Sequence, residues 1–439
     1  MTEKTNPVDG PSRRVETIRG LLQKYPQELS WLTGDVHSSP EIGGAIVGDK
    51  TAGEAIFPNL TKDQIKEFDR TAVGLLTFLW ALGGDYDSFV ECQPSTVRLT
   101  RESFDRLHEF TKRVVPDKEA KNAMSLYLVI NDLTKVSSVV EEMKKRTGNI
   151  VVDHDVLLLD VLQNHQDLSP SFAKSPAKYQ ELITGGLKAK FNMAHLSQGE
   201  GPAAILSGLK GIDEDSLNFY LIHVLFDTAG VVGHLKQNGS LVMTEPTYRN
   251  MEMAIDAINY LRAGNSEARA YNYMLENRAK EWKLDIKSSM GRAAARVACM
   301  LRLHGKEDEP KVAQIVKVIN SLEDSTRKNL IRELDTSGIE GETAIMLYYA
   351  PAILANTETA LKKQNDPQSF EHAVVLGLET FTSLYQQARE RIKDRKGKSG
   401  LYTVMCSDVA ALAGKDPNSL LRTRMFLQDE GDDAKIVLS

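Results

Sequence analysis

The chain has 439 residues, 41% of them hydrophobic and 26% charged, with Lys+Arg 54 against Asp+Glu 60 for a net charge of −6. That balance is ordinary globular composition, which excludes wholesale disorder, and the mild acidity argues against a general nucleic-acid binder, which carries a basic footprint. Three widely spaced cysteines, Cys92, Cys299 and Cys406, exclude a disulfide framework and a CxxC metal knuckle.

In chain order, the opening MTEKTNPVDGPSRR is polar with no apolar core, so residues 1–12 read as a flexible terminus and not as a secretory signal. Apolar residues at three- and four-residue steps predict helices over 63–82, 118–145, 216–236, 247–261 and 368–393. The most apolar stretch, Ala72 to Leu82, falls short of the roughly 20 residues of a membrane span. The expectation is therefore a soluble, cytoplasmic protein with a small-molecule substrate and neither membrane nor nucleic-acid partners. Thr61 before Lys62-Asp63, Thr100 before Arg101-Glu102, and Asp416-Pro417 at the last predicted helix all have the form of helix starts. Period-two strand patterns are confined to 149–152 and 240–243, too brief to build a sheet. The fold class predicted is all-α, a multi-helix array. It divides near Gln237-Asn238-Gly239-Ser240 into helical regions 13–240 and 241–428, separate or packed as one body, followed by an acidic tail over 429–439.

The most chemically informative segment is Ile130-Asn131-Asp132-Leu133-Thr134-Lys135-Val136. It sets a carboxylate at the end of an apolar helical run, where an ionised Asp needs a cation, a metal or several donors. Lys135 lies three residues on, within reach of Asp132 as an ordinary ion pair. Next, Asp153-His154-Asp155 opens an apolar run, with one aspartate as N-cap and His154 turned either inward or to solvent. In Met193-Ala194-His195-Leu196-Ser197-Gln198-Gly199-Glu200-Gly201, His195 and Gln198 are one helical turn apart and read as substrate contacts or as a helix crossing with glycines at the contact. His223, Asp227 and His234 differ by 4 and 7 positions and share one face of a predicted apolar helix, as accessory ligands or proton carriers, or as a carboxylate orienting an imidazole. Gly230 and Gly233 on the same run permit close approach of a neighbour.

The second half carries less. Arg292 and Arg296 stand at an i, i+4 spacing on a small-residue helix, suited to gripping a phosphate or carboxylate or to pairing with acids. Glu342 and Tyr348-Tyr349 fall on an apolar run predicted as helix, able to close a pocket or to pack as core. The basic run from Arg389 to Lys398 reads as a solvated helix end. HExxH, GxSxG and GKS/T motifs are missing, so zincin, nucleophile-elbow and phosphate-loop chemistries have no support.

The Asp132–Lys135 segment resembles the HD-domain superfamily of metal-dependent helical enzymes, whose His-Asp pair is often followed by a Lys three positions after the Asp. Asp132 and Lys135 match, and Asn131 stands where the family has His. The resemblance covers roughly residues 100–235. It implies an HD-like helical core with a metal set of His108, Asp132, His154 and Asp227, and with iron, manganese or zinc as the ion. It further implies that Lys135 steadies a substrate phosphate, with His223 and His234 assisting. The activity implied is hydrolysis of a phosphate ester or nucleotide-like small molecule by a metal-activated water. A smaller di-iron branch oxidises small polar substrates, and a scaffold or ligand-binding protein that has lost the metal is the remaining alternative, since an amide oxygen is a weaker and harder ligand than imidazole.

Overall fold

A computed structural model describes residues 11–33, 51–148, 153–395, 397–431 and 433–439. These form two units. The first runs to Phe191 and resumes over Gly208–Arg249; the second takes Asn192–Ser207 and Asn250–Ser439.

Unit 1 is helical throughout its described residues, and the elements that matter are α1 (Lys62–Gly83), α2 (Arg101–Val114), α3 (Lys118–Ile130), α4 (His154–Asn164), α5 (Ala177–Lys188) and α6 (Glu214–Gly230). Helix starts follow from local side-chain chemistry. The Thr61 backbone N–H donates to Gln64 Oε1 at 2.9 Å while the Thr61 hydroxyl accepts from Gln64 N, which satisfies two first-turn donors at once. Thr100 caps α2 by accepting from Ser103 N, and Asp117 caps α3 by accepting from Ala120 N. Helix α6 is apolar almost all round and packs against both α1 and α5, the pattern of a central helix.

Two glycines set how closely α1 and α6 approach. A Cβ at Gly74 would lie 3.0 Å from the Phe226 carbonyl, and one at Gly230 would lie 2.4 Å from the Arg70 carbonyl. Only bare backbone fits that crossing, and it brings the polar residues of α1 beside those of α6. Helix α6 ends at Gly230, so His234 sits in the turn that follows and not on the helix predicted over 216–236. Residues 240–243 are likewise not a strand. The Ser240 hydroxyl donates to the Ala229 carbonyl and accepts from Met243 N, which folds this stretch into a turn. The other strand candidate, 149–152, and residues 1–10 lie outside the described residues, while 11–12 belong to a helix, Pro11–Lys24.

Unit 2 corrects the all-α expectation. Its helices include α7 (Ser289–Met300), α8 (Asp324–Asp335), α9 (Ala350–Lys363), α10 (Ser369–Arg391) and α11 (Ser407–Lys415), which surround a sheet of β1 (Thr343–Tyr348), β2 (Gly400–Met405), β3 (Met425–Glu430) and β4 (Asp433–Leu438). The strand order is β1-β2-β4-β3, with β1–β2 and β2–β4 parallel and β3–β4 antiparallel. Strand β1 is buried from Thr343 to Leu347 on both faces, so its sequence is a continuous apolar run without alternation and reads equally as helix. Tyr348 ends this strand, and Tyr349, at a left-handed φ of 79°, turns the chain into α9. The acidic stretch 429–439 is the turn and return strand of a hairpin, with Asp429 paired to Arg391, and is not a free tail. Asp416-Pro417 begins a 3₁₀ turn, Pro417–Ser419, not the last helix. No described helix is long and apolar enough to cross a membrane.

Candidate functional site

The polar centre of unit 1 is assembled from four stretches of chain. Helix α1 brings Glu67 and Arg70. The end of α3 supplies Tyr127, and the turn beyond it Asn131, Asp132 and Lys135. The start of α4 brings His154 and Asp155, and α6 carries His223 and Asp227. Asp132 lies at φ −94°, ψ 7°, in the sparsely populated bridge region that many active-site residues adopt.

The pairings are short and mutual. Lys135 Nζ lies 2.5 Å from Asp132 Oδ1. Arg70 Nη1 donates to both oxygens of Glu67 at 3.0 and 2.9 Å. The Asn131 side-chain amide donates to Asp132 Oδ1 at 3.2 Å and to Asp227 Oδ1 at 3.3 Å, joining carboxylates 95 positions apart in the chain. Asp153 caps α4 by accepting from Asp155 N and Val156 N. The His154 carbonyl accepts from Thr134 Oγ1 at 2.7 Å, and His154 Nε2 lies 3.3 Å from Asp155 Oδ1.

The electrostatics divide these acids into two kinds. Burial opposes ionisation of Asp132, which is 3% exposed, yet Lys135 and Arg70 outweigh burial and hold its carboxyl well below the usual range. Burial likewise opposes the charge of Lys135, and Asp132 outweighs it to hold the ammonium above its ordinary value. Asp227 is pushed up, first by burial and then by the charge of Asp132. Glu67 is raised by burial, with Asp132 adding to the shift against the pull of Arg70. Two carboxyls a single amide apart are thus driven in opposite directions, the arrangement that separates an acid from a base. His223 is pushed down to about 3, by burial above all, and is neutral. Its ring stacks on Tyr127 at 3.8 Å and 15°, and neither its ring nitrogens nor the Tyr127 hydroxyl has a hydrogen-bond partner among the described residues. Such buried orphan groups are rare in a finished core.

Four predicted site residues of the first half stand apart from this group. His108 Nδ1 lies 2.6 Å from the Ala81 carbonyl, 11 residues and about 16 Å of helix from Arg70 along α1. His234 lies in the turn beyond α6. His195 belongs to unit 2, where its Nδ1 meets Glu200 Oε2 at 2.5 Å and its ring stands edge-on to Tyr348. Gln198 ends the same short helix, Met193–Ser197. Arg292 forms a two-point pair with Asp335 at 2.5 and 2.9 Å. Arg296, 1% exposed, donates to the carbonyls of Gly199, Glu200 and Leu334, so its guanidinium clasps backbone. The sequence reading overlooked Glu67, Arg70 and Tyr127. An acid and an arginine three apart on the buried side of an apolar helix were the signal for the first two.

Residues 18–396 match the Family of unknown function (DUF6829), and the chain belongs to that family. No curated protein and no solved structure matches it.

Proposed function

We propose that unit 1 carries a divergent HD-like centre that holds a hard divalent cation, magnesium or manganese, and hydrolyses a small phosphate ester. The observation that carries this reading is the Asn131 amide, 3.2 and 3.3 Å from Asp132 and Asp227. Half a turn about its Cβ–Cγ bond presents the amide oxygen to both carboxylates, and three oxygens then converge. Among the described residues no three His, Cys, Asp or Glu side chains form a metal-holding group, carboxylates included, so the cluster depends on the amide as its third donor. His108 is bonded to the Ala81 carbonyl, which removes one imidazole from the set suited to iron or zinc, and the oxygens of Asn131, Asp132 and Asp227 suit a harder ion. Charge supports the same conclusion. Glu67 is paired with Arg70 and Asp132 with Lys135, while Asp155 faces the His154 imidazole and Asp227 the neutral Asn131 amide.

When bound, such an ion supplies a positive charge for a phosphoryl oxygen and acidifies a water. The chain's own residues do the rest. Lys135 keeps Asp132 ionised and, with Arg70, lends positive charge to a substrate phosphate. Asp227, whose affinity for a proton is raised by burial and by the charge of Asp132, would give up that proton on ligating the cation. Neutral His223 and Tyr127 orient whatever enters beside them. The test is phosphate release from 4-nitrophenyl phosphate and a panel of nucleotides with added magnesium or manganese. The expected result is metal-dependent release that is lost in Asp132→Asn and Asp227→Asn variants of unchanged circular dichroism. Release that persists in both variants, or none with any divalent ion, overturns the proposal.

A second reading has its own support. Lys135 already gives Asp132 a counter-charge at 2.5 Å, which favours a cation-free binding site for a small polar molecule. A melting temperature indifferent to magnesium, manganese, iron and zinc would select it.

A further inference from the structure

We propose that unit 2 holds a separate binding site for small amphiphilic carboxylates, molecules with an aromatic or apolar body and one carboxylate. A cavity of about 620 Å³ lies between α8, α10 and the start of β1, within the roughly 300–1,000 Å³ typical of ligand pockets. Tyr385 and Ile392 close its inner wall almost fully buried, and the aliphatic stems of Arg332, Arg389 and Lys393 supply the apolar surface for an aromatic or aliphatic body. Its charged wall is built on Glu333, whose carboxylate is almost fully buried. Arg389 approaches it through Nε at 3.1 Å and Nη2 at 2.5 Å, and Arg332 through Nη2 at 2.5 Å.

Two guanidiniums on one carboxylate leave a surplus positive charge at the cavity. The carboxylate that offsets it is Glu342, 3.2 Å from Arg389 Nη1 with its side chain 41% exposed. The other charges at the rim, Lys393 and Glu390, neutralise each other at 2.7 Å. With only its Glu342 side open to solvent, this single-point pair at 3.2 Å is the most readily exchanged of the contacts to Arg389. Glu342 therefore stands where a ligand's carboxylate would go, and an incoming carboxylate displaces it to lie between Arg389 and Arg332, whose side chain is 51% exposed and whose planar fork matches it. The buried Glu333 keeps both guanidiniums in place with or without a ligand.

The test is titration calorimetry of the full chain with 2-naphthoate, and with 2-naphthol and acetate as body-only and charge-only controls. Naphthoate is expected to saturate, with both controls much weaker. The two variants are predicted to move in opposite directions. Glu342→Gln removes the competitor and tightens naphthoate by about three-fold, while Arg332→Gln weakens it by about three-fold or more. Glu342 is solvent-facing, so Glu342→Gln is expected to melt as the parent does, and Arg332→Gln, which leaves Arg389 on Glu333, is expected to keep the parent's circular dichroism. Equal binding of naphthol, weaker binding in Glu342→Gln, or wild-type affinity in both variants overturns the assignment.

Discussion

The two units bury charge in different ways. In unit 2, Arg296 is 1% exposed and donates to three backbone carbonyls, and Arg292 is matched oxygen for nitrogen by Asp335. In the unit 1 cluster, acids outnumber fixed cations, one amide is shared between two carboxylates, and neither the His223 ring nor the Tyr127 hydroxyl finds a hydrogen-bond partner among the described residues. Polar groups that are fully satisfied serve architecture, whereas a cluster left short of charge and hydrogen bonds is one that something else completes.

Four substitutions sharpen or break that contrast. The largest effect is expected at the satisfied site. Arg296→Met leaves three buried carbonyls without donors and should lower stability by roughly 3–5 kcal/mol in urea unfolding, while divalent-ion binding in the folded protein stays as in the parent. A loss under 1 kcal/mol would show that the clasp does not hold the structure. Next is Lys135→Met, which strands the Asp132 carboxylate and should cost about 3 kcal/mol. Added manganese should recover part of that loss, whereas no recovery would argue that the cluster does not accept a cation.

A smaller effect is expected at Asp69. Burial pushes this carboxyl up to about 6, against hydrogen bonds from Thr51, Gly53 and Gln237. The native state therefore holds a proton that the unfolded chain releases near pH 4, and stability from this group falls as pH rises between about 4 and 6. Asp69→Asn should flatten that slope and add about 1–2 kcal/mol at pH 7. A pH profile identical to the parent's would contradict the assignment. The smallest effect, about 1 kcal/mol from thermal melts, is expected for Thr61→Ala at the exposed cap of α1. A loss well above that would mean this helix end is held by more than its cap.

What the sequence disclosed follows the range of the forces involved. Helix periodicity, the Thr61 and Thr100 caps, and the Asp132–Lys135 pair are interactions over three or four residues, so they were legible. Strand β1 was not, because a strand buried on both faces loses the alternation that marks one. The hairpin was hidden by the acids that decorate its turn. The meeting of Asn131 with Asp227, and of Asp227 with the charge of Arg70, depends on the glycine crossing of α1 and α6, a tertiary fact with no local signature. The same limit explains why His108, well spaced in the chain, lies at the far end of α1.

The proposed chemistry requires that Asn131, Asp132 and Asp227 together receive a hard cation. Manganese titration followed by electron paramagnetic resonance addresses this directly. The account predicts one tightly bound equivalent in the native chain, displaced by magnesium, and none in Asp132→Asn. Failure of the native chain to bind manganese, or full binding by the variant, would contradict it.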